Sequence, residues 1–213
     1  MESFIRELEE ERIRELAAYL SVSGLDNYKL SKEEENALAN FLGIKWEKHA
    51  ITDVFHIENT HSILASDIVP DSGVTPYLCA SAENNGVSSF ISYDKKYLEH
   101  GNCIFIGGKT FVVSYQEQDF YSNDSHNLAL RLKNTTPKKE NQLFLATCVR
   151  KSLGHKYTWG NSISKEKIKS DSVMMPTNYT EIETFMRAVQ KLVVQDVSEY
   201  TARRIAATKE TVK

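Results

Sequence analysis

The sequence predicts an α+β fold, with a β-rich body set between N-terminal helices and one long C-terminal amphipathic helix. Three observations predict it. Apolar residues recur at helical spacing at both ends of the chain. The middle alternates β-prone runs with Asn-Gly and Gly-Gly turns. After Pro176 the chain has neither glycine nor proline, so nothing interrupts a final helix.

In the first element, Ile5, Leu8, Leu16 and Leu20 recur among Glu and Arg, and Gly24 with Asp26-Asn27 breaks the helix. A second helix starts at Ser31. Ser31-Lys32-Glu33-Glu34 has capping-box form, in which hydroxyl and carboxylate each satisfy an orphan N–H, and Gly43 ends the helix. Trp46 to Ile57 reads as one strand. Thr75–Ser81 and Val87–Tyr93 flank Glu83-Asn84-Asn85-Gly86, where Asn85-Gly86 suits a positive-φ turn, so they read as a hairpin. Cys103–Ile106 and Thr110–Tyr115 flank Gly107-Gly108-Lys109 as a second hairpin. Asn127–Leu132 is a further strand, Pro137–Glu140 breaks the chain, and Gln142–Leu153 is helical before Gly154. A short strand, Ser172–Met175, stops at Pro176. Thr180-Glu181-Ile182-Glu183 then matches a second capping box. The stripe Ile182, Phe185, Val189, Leu192, Val193, Val197 and Tyr200 follows. A helix of thirty or more residues spans roughly 45 Å, too long to lie on a small domain, so part of it must project or pair with another helix.

With 41% apolar residues the chain has material for a core. No apolar run approaches the roughly 20 residues of a membrane span, and the charged start from Met1 to Arg14 is no signal peptide. Cys79, Cys103 and Cys148 are odd in number and far apart, as expected for reduced thiols of a cytoplasmic protein. Net charge is −3, but it is unevenly distributed. Residues 131–170 hold 10 basic and 2 acidic side chains, whereas residues 1–130 hold 10 basic and 21 acidic. For steering a polyanion, that local excess matters more than the total.

Catalytic patterns are weak. Asp71, Asp94 and Lys96 fit the loose form of a metal-dependent nuclease, two carboxylates for Mg²⁺ and a lysine to polarise water. Asp71, however, sits in a Pro-Asp-Ser-Gly turn suited to a side-chain cap, and Asp94 follows a strand. An amino-methyltransferase needs a Pro-Pro loop, which is missing, and Lys109 stands where its cofactor motif needs glycine. There is no Cys-x-x-Cys, no His-x-x-x-His and no Gly-x-Ser-x-Gly. His56 and His61 are poorly spaced to share a metal. No catalytic residue, metal site or cofactor is expected on this chain.

Nucleic-acid features rank higher. Lys151 to Asn161 interleaves cations, aromatics and amides, including Lys156, Tyr157 and Trp159, and leads into Lys165 and Lys167. Lysines neutralise phosphates, and asparagine pairs an adenine edge through both amide atoms. Asn84 and Asn85 at one hairpin tip, Lys109 at the other, and Asn123, Ser125 and His126 in a polar loop supply further candidates. Against this stand ordinary turn chemistry for the asparagines, core packing for Tyr157 and Trp159, and the alternative of a non-catalytic protein-interaction adaptor whose long helix matters and whose basic stretch is only a solvated surface.

These residues carry a family resemblance. Thr75-Pro76-Tyr77-Leu78 with Asn84-Asn85-Gly86-Val87 resembles the early signature of target recognition domains in type I restriction-modification specificity subunits. Lys156-Tyr157-Thr158-Trp159-Gly160, Ile168 and Val173-Met174-Met175-Pro176 resemble the end of that domain, where a short strand leads into a conserved spacer helix. Glu10 to Leu38, with Tyr28-Lys29-Leu30-Ser31-Lys32-Glu33-Glu34, is similar to the N-terminal segment of such subunits. Arg203-Arg204-Ile205-Ala206-Ala207-Thr208-Lys209-Glu210 is similar to the end of their spacer helix.

The resemblance implies residues 1–43 as an N-terminal helical segment, 44–177 as the target recognition domain and 178–213 as the spacer helix. It implies a non-catalytic reader of double-stranded DNA. An adenine methyltransferase partner would supply the S-adenosylmethionine chemistry, and a restriction subunit could join. A full subunit carries two recognition domains and two spacer helices; this chain has one of each, as a natural half-subunit or a truncated product. The long apolar stripe then predicts a two-fold homodimer, paired as a coiled coil and reading a palindromic, interrupted target.

Overall fold

The structure, a computed structural model, describes residues 2–133, 138–177 and 179–211. It divides into two units, one drawn from Met1–Gly43 with Glu183–Lys213 and the other Ile44–Ile182.

The first unit is helical. Helix α1 (Glu2–Val22) ends where Gly24 takes φ +67° and Leu25 N–H donates to the Leu20 carbonyl at 2.8 Å. Helix α2 (Lys32–Asn40) carries the expected capping box in full. The Ser31 hydroxyl accepts from Glu34 N–H, and the Glu34 carboxylate accepts from Ser31 N–H. The long helix α6 (Tyr179–Thr211) contributes its part from Glu183 onward. Its first residue is Tyr179, and the side-chain cap expected at Thr180 lies outside the described side chains.

Contacts along α6 run in reverse order to those of the N-terminal segment. Phe185 stacks on Phe41 with centroids 4.0 Å apart, and Lys191 pairs with Glu34 at 2.9 Å. The Ser198 hydroxyl donates to the Leu25 carbonyl at 3.0 Å, and Arg204 meets Glu9 at 3.5 Å. The helix therefore pairs, as its length required, and its antiparallel partner is the chain's own N-terminal segment.

Among its described residues the second unit carries nine short strands. The expected strand Trp46–Ile57 is instead two, β1 (Trp46–Ala50) and β2 (Phe55–Asn59), separated by the helical turn α3 (Ile51–Val54). The reason is the burial of Ile51, whose N–H donates to the Asp171 carbonyl at 3.0 Å; the chain turns there to pass from one sheet to another. Strand β1 pairs antiparallel with β9 (Ser172–Pro176). A four-stranded sheet has the order β2, β8 (Leu128–Leu132), β5 (Cys103–Ile106), β6 (Val113–Gln116). A three-stranded sheet has the order β4 (Val87–Ile91), β3 (Thr75–Leu78), β7 (Tyr121–Ser122), and β3–β7 is parallel. Both expected hairpins are present.

Strand β5 is buried on both faces, which its unbroken apolar sequence requires. Cys103 and Phe105 pack with Leu78, Phe120 and Ala129. Helix α4 (Lys139–Leu153) starts three residues earlier than expected and packs against β9, β6 and β5, burying Leu145, Val149 and Leu153. Burial pushes the Cys103 and Cys148 thiols up to about 12, and no cysteine of the chain is in a disulfide. Among the described residues, no helix is long and apolar enough to cross a membrane.

Gly107 and Gly108 join β5 to β6, but φ is not what demands them; in this turn the positive φ belongs to Phe111, at +55°. A Cβ on Gly107 would lie 2.6 Å from Ala80 Cβ, and one on Gly108 would lie 2.3 Å from the His126 carbonyl oxygen. Close backbone approach is the reason for both glycines. Gly108→Ala should destabilise the chain by roughly 1–3 kcal/mol, since the obstructing group is backbone. Gly43→Ala meets nothing within 4 Å and serves as control. Equal melting temperatures for the two variants would refute this account.

Candidate nucleic-acid interface

The turn Gly107–Phe111 gathers three other loops. The first is the β3–β4 connection, where the Thr110 hydroxyl donates to the Ala80 carbonyl at 3.0 Å. The second is residues 123–127, where Gly108 N–H donates to Asn127 Oδ1 at 3.0 Å. The third follows α4, where Ile163 N–H donates to the Gly108 carbonyl at 3.1 Å and the Tyr157 ring packs on Phe111. These loops carry the candidate DNA-binding residues, so positions spread from 84 to 167 in sequence converge at one end of the β body.

Asn84 and Asn85 both have positive φ, at +46° and +52°, a conformation asparagine tolerates better than most residues. Asn84 Nδ2 donates to the Val87 carbonyl, and Asn85 Nδ2 donates to the Tyr115 carbonyl. Asn123 Oδ1 accepts from Asn127 Nδ2. Asn161 Nδ2 donates to the Lys156 carbonyl at 2.6 Å, and its Oδ1 accepts from Lys167 at 3.4 Å. Each candidate asparagine therefore holds at least one amide atom in a protein hydrogen bond, which fixes the amide plane and leaves a second N–H or lone pair on that atom.

Asp124 organises the second loop. It accepts from the His126 backbone and ring at 2.9 and 2.7 Å, and it pairs with Lys109 at 3.0 Å. Burial raises its pKa, but the bonds from His126 and Lys109 outweigh this and bring it down to about 2. Ser125 is exposed, and its carbonyl accepts from Asn59.

The third loop is pinned from below. Tyr157 is buried, not a surface contact as expected, and its hydroxyl donates to Asp171 Oδ2 at 2.6 Å. Burial, then the bond to Asp171 and its charge, raise the Tyr157 phenol well above its ordinary range. Lys156, expected among the phosphate contacts, pairs with Asp171 Oδ1 at 2.6 Å, so its charge is compensated. Trp159 is 78% exposed. Lys167 donates to the Ser162 carbonyl at 2.7 Å and bridges the loop to α5 (Lys165–Ile168).

Of the ten cations in 131–170, Arg131, Lys139, Lys156 and Lys169 are neutralised by carboxylates. Arg150, Lys151, Lys165 and Lys167 make no ion pair with a carboxylate among the described residues, although the Lys165 charge is felt by its neighbour Glu166. Arg150 was not anticipated. It lines a cavity of about 420 Å³ with Ser81, Asn85, Phe111, Tyr115 and Thr147. Helix phase could have found it, because Leu145, Val149 and Leu153 are core positions and leave Thr147 and Arg150 on the opposite face.

The nuclease residues do other work. Asp71 accepts from the Ser89 hydroxyl at 3.2 Å, while Asp94 caps a turn through Lys96 N–H and pairs with the Lys96 ammonium at 3.2 Å. Among the described residues, no three His, Cys, Asp or Glu side chains gather as metal ligands would.

The Asp124 cluster gives a pH prediction. Its carboxylate contributes stability in full above the ordinary value of 3.8, and the contribution is lost as pH falls toward 2. Asp124→Asn should cost at most about 2 kcal/mol at neutral pH. In urea titrations the gap between parent and variant should close between about pH 4 and pH 2. A gap that stays constant through that window would sink this reading.

The fold has counterparts among known proteins. Residues 43–212 match the model of the type I restriction modification DNA specificity domain. No curated protein matches the chain significantly. The fold is similar to that of the type I restriction-modification S subunit from M. genitalium, with TM-score 0.53 at 10% identity, over 96% of this chain and 56% of that one. It is similar to the HsdS subunit from Thermoanaerobacter tengcongensis, with TM-score 0.50 at 15% identity, over 93% and 50%. A chain from a structure of type I R-M complex assembly gives TM-score 0.54 at 16% identity, over 96% and 54%. The chain thus spans about half the length of the solved chains it matches. It belongs to the family of type I restriction-modification DNA specificity domains.

Proposed function

We propose that the chain reads DNA sequence for a restriction-modification assembly and is itself non-catalytic. It directs an adenine methyltransferase that carries S-adenosylmethionine, and where present a restriction subunit, in the cytoplasm. One observation carries this reading. Four segments distant in sequence are bonded together at one end of the β body, and the uncompensated Arg150, Lys151, Lys165 and Lys167 lie on helix α4 and beside the third of these loops. Uncompensated cations supply the phosphate affinity, and loops supply the base contacts.

Alanine at those four positions should weaken duplex binding and flatten its salt dependence, by up to ~0.9 in logarithmic slope for each phosphate left unneutralised. An unchanged slope in fluorescence anisotropy titrations would place DNA elsewhere. Co-purification from the native host should bring an adenine methyltransferase with the chain.

The helical unit supports a two-fold homodimer. On α6 the inward residues are small or polar: Ala188, Ser198 and Thr201 are buried. Val193, Val197 and Tyr200 remain exposed at 75, 45 and 48%, with Val189 half-buried on the same stripe. The stripe thus divides, since Phe185 packs on Phe41 while Leu192 onward faces outward. An exposed apolar stripe at helical spacing fits a second copy in coiled-coil fashion. Two identical readers about a dyad recognise inverted half-sites. Methylation mapping of the assembled complex should show a palindromic, interrupted target, and asymmetric half-sites would exclude it. Glutamate at Val189 and Val193 should leave the β unit folded while halving the mass by light scattering; an unchanged mass would move the interface off this helix.

A further inference from the structure

Trp159 is a large apolar side chain held almost wholly in water on a well-anchored turn. Its turn is a two-residue loop. Thr158 and Asn161 are bonded in both directions, at 3.3 and 2.9 Å, and Gly160 takes φ +100° at the position where such turns favour glycine. Both stems are fixed: Tyr157 is bonded to Asp171 and packed on Phe111, and Ile163 is buried and bonded to Gly108. Asn161 braces the loop internally through the Lys156 carbonyl, and Lys167 ties Ser162 to α5. An indole placed this way has lost its backbone freedom before any partner arrives, so little ordering cost remains on binding. Nothing in its own unit covers it.

We infer that Trp159 is a wedge that inserts into the base stack of the duplex and opens one step. This rests on the DNA-reading role proposed above and adds the manner of contact. The chemistry is specific to a nucleic acid on two counts. Lys151, Lys165 and Lys167, uncompensated, flank the turn in sequence, and Lys167 is bonded to it, so a polyanion is drawn to the surface from which the indole projects. An indole has the flat π-face that a base stacks on. Apolar wedges between base steps kink the duplex and so admit more protein surface. The kink would make recognition depend on how readily a step unstacks, independently of any hydrogen bond to its edges.

The chain has two tryptophans, and Trp46 stacks on Phe144. Trp46→Phe therefore leaves Trp159 as the sole tryptophan emitter in the full chain. The probe is a pool of short duplexes with a randomised centre, enriched on the parent chain and labelled at both ends for energy transfer. Binding should quench Trp159 emission, shield it from acrylamide and raise end-to-end transfer. Trp159→Ala should bind about tenfold more weakly. It should keep the parent salt slope and leave end-to-end transfer at the free-duplex level, and Trp159→Phe should recover most of both. If the parent binds no duplex, the DNA-reading role itself falls and the wedge with it. Binding with unmoved emission, or equal affinity for Trp159→Ala, overturns the wedge and leaves the reader standing. So does quenching with no change in transfer, because an intact stack has no open face. Emission that moves only on adding the methyltransferase would assign Trp159 to a protein contact, which also overturns the proposal.

Discussion

The loop-bearing end of the β unit depends on close backbone approach at Gly107 and Gly108. The hairpin between β5 and β6 must approach Ala80 on one side and the His126 carbonyl on the other, closer than any side chain permits. Three hydrogen bonds then fix three loops relative to each other: the turn donates to Ala80 and Asn127, and its Gly108 carbonyl accepts from Ile163. Loops gain precision only when the element beneath them is rigid, and here the element is β5, buried on both faces. The loop tips are free to vary while the glycines keep this edge of the β unit assembled.

Charge is arranged with the same economy. Carboxylates neutralise four of the ten cations between 131 and 170, and the Lys156–Asp171–Tyr157 group shows why. A buried carboxylate such as Asp171 needs a cation and a hydroxyl, or it would cost more than the loop gains. Part of the basic stretch therefore holds the loop, and part is left without an ion pair, which is the part proposed to meet phosphate. Counting lysines in the sequence cannot separate the two, because the separation depends on Asp171, fifteen residues away from Lys156.

Much of the fold was legible. Asn85-Gly86 and the Gly107-Gly108 pair marked both hairpins, and Ser31 with Glu34 marked the start of α2, because these signals act over a few residues. What was missed depends on distant partners. The break at Ile51 follows from Asp171, and the two-residue strand β7 exists only because β3 lies beside it. At the interface, the order of segments and the exposed Trp159 followed from pattern, whereas the burial of Tyr157 and the position of Arg150 needed the fold. On α6 hydropathy pointed the wrong way for the contacts within the unit. Ser198 and Thr201 are buried there while Val193 stays in water, since a small residue lets backbones approach more closely than a large apolar one.

The antiparallel match between the first forty residues and α6 bears on how the molecule is born. Glu9 precedes its mate Arg204 by 195 residues, so the early helices are made well before the helix they pair with. Residues 44–182 hold all their strand partners within themselves and can close while synthesis continues. The leading helices make their contacts with α6, at Glu34 and Leu25 among others, only once that helix has emerged. In that interval a trailing segment from a neighbouring nascent chain could take the place of the chain's own, an exchange that polysomes would favour.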